Sequence, residues 1–260
     1  MQTNIIYILI IIFANTIGSV SGMGGGIIIK PAFDFYGADT LNNINFFSSV
    51  AVLTMSIVSI YKQIKGGIRI NFQAALYLAF GSVLGGIVGN SVLNTAIQLI
   101  GDNDTVAISQ ISLTLILLIG ILVNNYLPHG NLTLRTKTPY FLTGLILGTV
   151  SSILSIGGGP LNTALLIFMF SFSIKNANVY SLIIIFFSQL ANLSTLAWTT
   201  NGFQGYKIDM LVYIVPAAAI GGLIGSALAK KLSSAVIQKL FVIIIFGIIA
   251  LNIYNLLSLI

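Results

Sequence analysis

Apolar residues run along this chain in long stretches, and polar residues gather in the short gaps between them. Eight apolar segments follow from the pattern: roughly Ile5–Tyr36, Ile44–Ile64, Phe72–Leu93, Val106–Asn124, Tyr140–Phe172, Val179–Thr199, Met210–Ala229 and Val236–Leu257. Six of them have the length of one helix through a hydrocarbon layer, which takes about 20 residues. The first and fifth are too long: as single helices they would measure about 48 Å, against a core of about 30 Å. Tilt alone rarely absorbs that excess. Each of the two carries a glycine triplet, Gly24, Gly25 and Gly26 in one, Gly157, Gly158 and Gly159 in the other. Three consecutive glycines cost a helix about 2.5–3 kcal/mol relative to alanines. At membrane depth, non-helical backbone is tolerated only where it is buried in protein or lines a cavity. The pattern therefore predicts a break at each triplet. Pro160 suits the first turn of a new helix, and Pro31 lies in the first turns after the other break.

The two halves repeat. An offset of 133 residues aligns the triplets, and it also aligns Asn43-Ile-Asn45-Phe-Phe-Ser48 with Asn176-Ala-Asn178-Val-Tyr-Ser181. An offset of 136 aligns Gly85-Gly86-Ile-Val-Gly89 with Gly221-Gly222-Leu-Ile-Gly225. The same order of matches on two nearby offsets argues for internal duplication, a feature of many secondary transporters.

Charge then separates two topologies. If all eight segments cross, Lys62, Lys65, Arg69, Arg135, Lys137 and Lys207 lie opposite Lys30, Lys175, Lys230, Lys231 and Lys239, which breaks the positive-inside rule. If segments one and five turn back at their glycines, only Lys30 and Lys207 are separated from the other nine basic residues. The second arrangement is preferred. The expected fold is an all-α polytopic membrane protein of two four-segment inverted repeats, 1–127 and 128–260, in a single integral membrane domain. Each repeat has a glycine-broken, re-entrant first segment.

Composition agrees: 57% of the 260 residues are hydrophobic, 6% are charged, and mean hydropathy is +1.03. The expected place is the plasma or inner membrane, multi-pass, with the lipid bilayer as partner. The formal net charge of +6 reads as loop anchoring rather than nucleic-acid binding, for no basic cluster is interleaved with aromatics. The chain has no cysteine, so disulfides and cysteine-held metals are excluded. No cofactor or metal site is expected, and nothing speaks against a homo-oligomer.

The breaks carry the candidate chemistry. A helix starting after each triplet has free N–H groups and the positive end of its dipole near the midplane, and glycine lets an oxyanion approach closely. Paired breaks in two halves are a sequence pointer to a transporter site. The competing reading is close helix packing through small residues, preferred for Gly85, Gly86, Gly89, Gly221, Gly222 and Gly225. Asn45 with Ser48, and Asn178 with Ser181, share helix faces and are candidate neutral donors; interhelical bonding is the alternative. Asn43 and Asn176 read as N-caps. Gln189 and Asn192, inside segment six, mark a polar pathway; Ser56 and Ser59 are their repeat mates. Lys30 either attracts the anion or snorkels to an interface. His129 reads as a loop residue. An intramembrane enzyme is not expected, because the chain has one loop histidine and no acid at membrane depth to act as base.

Gly22-Met-Gly-Gly-Gly with Pro31 downstream, then Ser155-Ile-Gly-Gly-Gly-Pro160, in two four-segment halves, resembles the sulfite exporter TauE/SafE family of membrane permeases over nearly the whole chain. Ser155 stands where the second motif usually begins with glycine, Ala164 where a proline is common, and Lys30 where an apolar residue is usual. The resemblance implies a carrier or uniporter for small sulfur-containing or organic oxyanions such as sulfite or sulfonates. The substrate site would comprise Gly24–Gly26, Gly157–Gly159, Asn45, Ser48, Asn178, Ser181, Gln189 and Asn192. An anion-selective channel, or a permease for another small organic acid, is the alternative.

Overall fold

The computed structural model describes residues 2–126, 132–155 and 158–259. Ten helices follow one another: α1 (Gln2–Ser21), α2 (Gly26–Tyr36), α3 (Leu41–Lys65), α4 (Phe72–Ile100), α5 (Asn103–Tyr126), α6 (Lys137–Leu154), α7 (Gly159–Phe170), α8 (Ile174–Thr199), α9 (Leu211–Lys231) and α10 (Ser234–Leu259). A short 3-10 turn, Ile208–Met210, leads into α9. No strand occurs among the described residues. Among the described residues, seven helices suffice by length and hydropathy to cross a membrane: α1, α3, α4, α5, α8, α9 and α10. Large apolar side chains such as Leu9, Phe13, Leu99, Trp198 and Val212 face outward, while Asn15, Ser48, Asn162 and Gln189 are buried. That inversion of the usual polarity suits a hydrocarbon surround.

Both long segments break at their glycines. α1 ends at Ser21 and α2 starts at Gly26; α6 ends at Leu154 and α7 starts at Gly159. Gly22 and Gly24 have φ of 72° and 74°, and Gly158 and Gly159 have 82° and 48°. This is the left-handed region in which a Cβ costs about 1–2 kcal/mol. After each break the chain doubles back. Tyr7, near the start of α1, stacks on Phe33, near the end of α2, with ring centroids 4.0 Å apart. Tyr140 of α6 stacks on Phe170 of α7 at 4.4 Å.

The mouths of the two hairpins lie at opposite ends of α3. Tyr7 donates to Asp39 just before α3, and Asp39 pairs with Lys207 at 2.5 Å. The second mouth reaches Phe172 and Tyr180, and the Tyr180 hydroxyl accepts from Asn71 N, beyond the far end of α3. The 25 residues of α3 separate these points by about 37 Å. Lys62, Lys175 and Lys230 line one cavity. Eight full crossings would set Lys62 apart from the other two.

The glycine faces pack the helices. α4 lies along α6, and α9 along α1. A Cβ on Gly85 would stand 2.2 Å from Leu145 O, and one on Gly89 would stand 2.4 Å from Thr149 O. Their repeat mates do the same against α1: Gly221 would meet Ile12 O at 2.8 Å and Gly225 would meet Thr16 O at 2.3 Å. Small residues here let backbones touch, the usual currency of helix association in lipid.

The caps differ from expectation. Thr40 and Ser173, not Asn43 and Asn176, occupy the N-cap positions of α3 and α8. The helices start earlier than the apolar pattern does, because the first turn of each is polar. Asn43 instead donates to Thr40 Oγ1 and accepts from Lys207 N.

Candidate functional site

The two breaks lie against each other, buried in the protein. A Cβ on Gly159, the first residue of α7, would lie 2.8 Å from Ile27 Cδ1, in the first turn of α2. Two half-helix N-termini therefore start side by side, and neither carries a side-chain cap. Gly25 and Gly158 are the N-cap residues. Gly24 and Gly26 flank Gly25 and are buried; Gly157 lies outside the described residues.

Polar side chains press on both N-caps. A Cβ on Gly25 would fall 1.9 Å from Asn15 Oδ1. One on Gly158 would meet Ser151 Oγ at 2.3 Å and Asn162 Oδ1 and Nδ2 at 2.4 and 2.5 Å. Asn15, Ser151 and Asn162 are fully buried, and none of these polar atoms has a hydrogen-bond partner among the described residues. An unsatisfied buried amide is costly, and native structures keep few of them without a reason. Ser152 Oγ, Ser48 Oγ and both amide atoms of Gln189 share this condition.

The candidate donors from the sequence divide. Asn178 Nδ2 donates to Ser19 O at 3.2 Å and Val20 O at 2.8 Å, and Ser181 Oγ to Gly22 O at 2.5 Å. Thr163 Oγ1 also reaches Ser21 O and Gly22 O. These side chains cover the carbonyls freed where α1 ends, so Asn178 and Ser181 make interhelical bonds here. Asn45 and Ser48, at the mate positions, make no such bonds to carbonyls among the described residues; Ser48 Oγ is unpartnered, and so are Asn45 Oδ1 and Asn178 Oδ1. Asn192 Nδ2 lies 3.4 Å from Ser49 Oγ.

Lys30 neither snorkels nor stands free. It is buried on α2, donates to Gln110 Oε1 of α5 and lies 3.4 Å from Leu154 O at the end of α6. Gln110 Nε2 donates to Ile153 O at 2.6 Å. A cation and an amide thus serve the last carbonyls of the helix before the second break, where a positive charge also suits the dipole.

Two cavities flank the breaks. One, of about 320 Å³, is lined by Lys62, Gln63, Lys175, Asn178, Ser226 and Lys230 among others. From it a hydroxyl chain leads inward: Ser226 to Ser19 at 2.9 Å and Ser19 to Ser59 at 2.8 Å. The other, of about 30 Å³, is lined by Asn42, Asn45, Ser49, Asn90, Asn94, Ser155, Asn192 and Tyr206 among others. Burial pushes the Tyr206 phenol above its ordinary range, so it serves there as a neutral group.

Asn15, Ser151, Asn162, Ser19 and Ser226 escaped the sequence reading, and Ser59 entered it only as the repeat mate of Asn192. Their signal was a polar residue inside an apolar run, most visibly Asn15 in Ile-Phe-Ala-Asn-Thr. That signal alone does not separate a site residue from an interhelical bond.

The family model for Sulfite exporter TauE/SafE matches residues 7–253. The chain is 24% identical over 266 residues to a probable membrane transporter protein, YunE, of Bacillus subtilis (strain 168), with 93% of this chain and 94% of that protein covered. No solved structure matches the chain. A match over nearly the full length, on an all-helical polytopic fold with both glycine motifs, assigns the chain plainly: it belongs to the sulfite exporter TauE/SafE family of multi-pass membrane transporters.

Proposed function

We propose that this chain is a secondary carrier or uniporter for small sulfur-containing or organic oxyanions, sulfite and sulfonates foremost, working by alternating access around the two breaks. The observation that carries this reading is the pair of uncapped half-helix N-termini beside unpartnered Asn15, Ser151 and Asn162. Free N–H groups at positive dipole ends favour an anion. Side-chain amides and hydroxyls supply neutral donors, so a substrate is held without a buried counter-charge that would trap it. The family's description names sulfite, which supports the substrate class.

The repeats, 1–127 and 128–260, are read as inverted about the membrane plane, with α1–α2 and α6–α7 as re-entrant hairpins from opposite faces. Two facts support this: the hairpin mouths lie at opposite ends of α3, and the two cavities approach the breaks from opposite sides. In this reading Gly24–Gly26, Gly157–Gly159, Asn45, Ser48, Gln189 and Asn192 belong to the substrate path. Asn178 and Ser181 change partners as the first break moves.

The test is flux of radiolabelled sulfite into proteoliposomes, with sulfate, ethanesulfonate, acetate and chloride as competitors. Saturable sulfite flux, competed by ethanesulfonate and not by chloride, is expected. Flux linear in sulfite concentration would favour the channel alternative, and no sulfite or sulfonate flux would overturn the substrate class.

A further inference from the structure

The two cavities are repeat mates with opposite character. At the offset of 133, Asn42 and Asn45 of the small cavity correspond to Lys175 and Asn178 of the large one. At the offset of 136, Asn90, Leu93 and Asn94 correspond to Ser226, Ala229 and Lys230. The same five places of the repeat thus line a vestibule at each end of the bundle. One vestibule holds about 320 Å³ and the other about 30 Å³. Two asparagines in the small one are replaced by lysines in the large one, and Lys62 adds a third. No hydrogen bond or carboxylate partner is found for these three lysines among the described residues. The one ion pair there, Lys207–Asp39, lies at the other end of the molecule.

We propose that Lys62, Lys175 and Lys230 form a loading site for oxyanions, placed at one face only. It concentrates the anion at the larger vestibule and passes it toward Asn178 and the first break. The mate vestibule, smaller and lined by amides, offers no such attraction. The carrier therefore collects anions preferentially from the face that holds nine of its eleven basic residues, the cytoplasmic face by the positive-inside rule. This rests on the oxyanion-carrier reading for its purpose, but its electrostatic content stands without transport. Three unpaired ammonium groups in a low-dielectric funnel raise the local anion concentration; the lower end of the usual range is about tenfold.

The experiment uses the absence of native cysteine. Ile68→Cys reports on the large vestibule and Ile97→Cys on the small one. Each is labelled in phosphatidylcholine nanodiscs with a sulfonate-bearing and an ammonium-bearing thiol reagent of similar size. Rates are normalised to a free thiol. At Ile68→Cys the anionic reagent should gain about tenfold over the cationic one, and ethanesulfonate should slow it. The triple change Lys62→Gln, Lys175→Gln and Lys230→Gln should remove the preference, and the triple change to arginine should keep it. At Ile97→Cys no preference is expected. Equal rates at Ile68→Cys, or a preference indifferent to the lysines, would overturn the proposal. So would loss of both preference and ethanesulfonate protection on adding phosphatidylglycerol, which would make the site a lipid-headgroup site. A protein that moves no sulfite yet keeps the preference would overturn the transport reading and leave the loading site standing.

Discussion

Replacing Gly158 with alanine strains the second break in two separable ways. The backbone there has φ +82°, where an L-residue costs about 1–2 kcal/mol. The new methyl would also fall within 2.3–2.5 Å of Ser151 Oγ and both amide atoms of Asn162. Overpacking a filled interior costs about 1–3 kcal/mol, and rotation of these two side-chain ends brings the lower figure within reach. The expected destabilisation is about 2–5 kcal/mol. The assay is unfolding in mixed micelles, with Gly120→Ala as control: a Cβ there meets nothing within 4 Å. That control should gain about 0.5–1 kcal/mol from a better helix residue in α5. In a background of Ser151→Ala and Asn162→Ala, the packing share should disappear and about 1–2 kcal/mol should remain. If Gly158→Ala matches the wild type, or if the background restores it fully, the left-handed break is not a feature of the folded protein.

Gly89→Ala should destabilise by about 1–3 kcal/mol in the same assay, because its neighbour is the Thr149 carbonyl, a backbone atom that cannot rotate away. Lys30→Met should cost about 1–3 kcal/mol by stranding Gln110 Oε1, and Lys30→Arg should recover part of it. Lys207→Ala should cost about 1–3 kcal/mol: its own side chain is 58% exposed, but the Asp39 side chain it leaves behind is only 4% exposed and keeps Tyr7 as its partner. Salt titration of the wild type should change stability little, because a partly buried pair is screened less than an exposed one.

Much of the architecture was legible in the residues. Segment lengths against bilayer thickness required the breaks, and the paired triplets located them. The basic residues favoured one of two chain paths because Lys175 changes sides relative to Lys62 between them. Gly85, Gly89, Gly221 and Gly225 were readable as packing residues because their spacing is helical. The caps were less legible: Thr40 and Ser173 precede the apolar pattern, so Asn43 and Asn176 looked like the starts. The site was half legible. Gly25 and Gly158 announce themselves, but what presses on them comes from α1, α6 and α7 through three-dimensional contact. Asn178 and Asn45 occupy equivalent places and both have an unpartnered Oδ1, yet among the described residues only Asn178 donates through Nδ2 to the carbonyls at the end of α1. That difference depends on which carbonyls the fold brings near each residue, and no linear pattern encodes it. Lys30 looked like an interfacial lysine because its partners, Gln110 and Leu154 O, are 80 and 124 residues away.

Asn162→Leu tests the central claim most directly. The exchange removes two unpartnered buried polar atoms at similar volume, so stability without ligand should be unchanged or slightly raised. The quantity to measure is the thermal stabilisation of the purified protein by sulfite. Binding to the native state contributes about 2.7 kcal/mol at a hundredfold excess over Kd. The account predicts that the wild type gains this stabilisation and that Asn162→Leu keeps its fold and loses the gain. A variant that keeps the full sulfite shift would contradict a substrate site at the meeting of the two breaks.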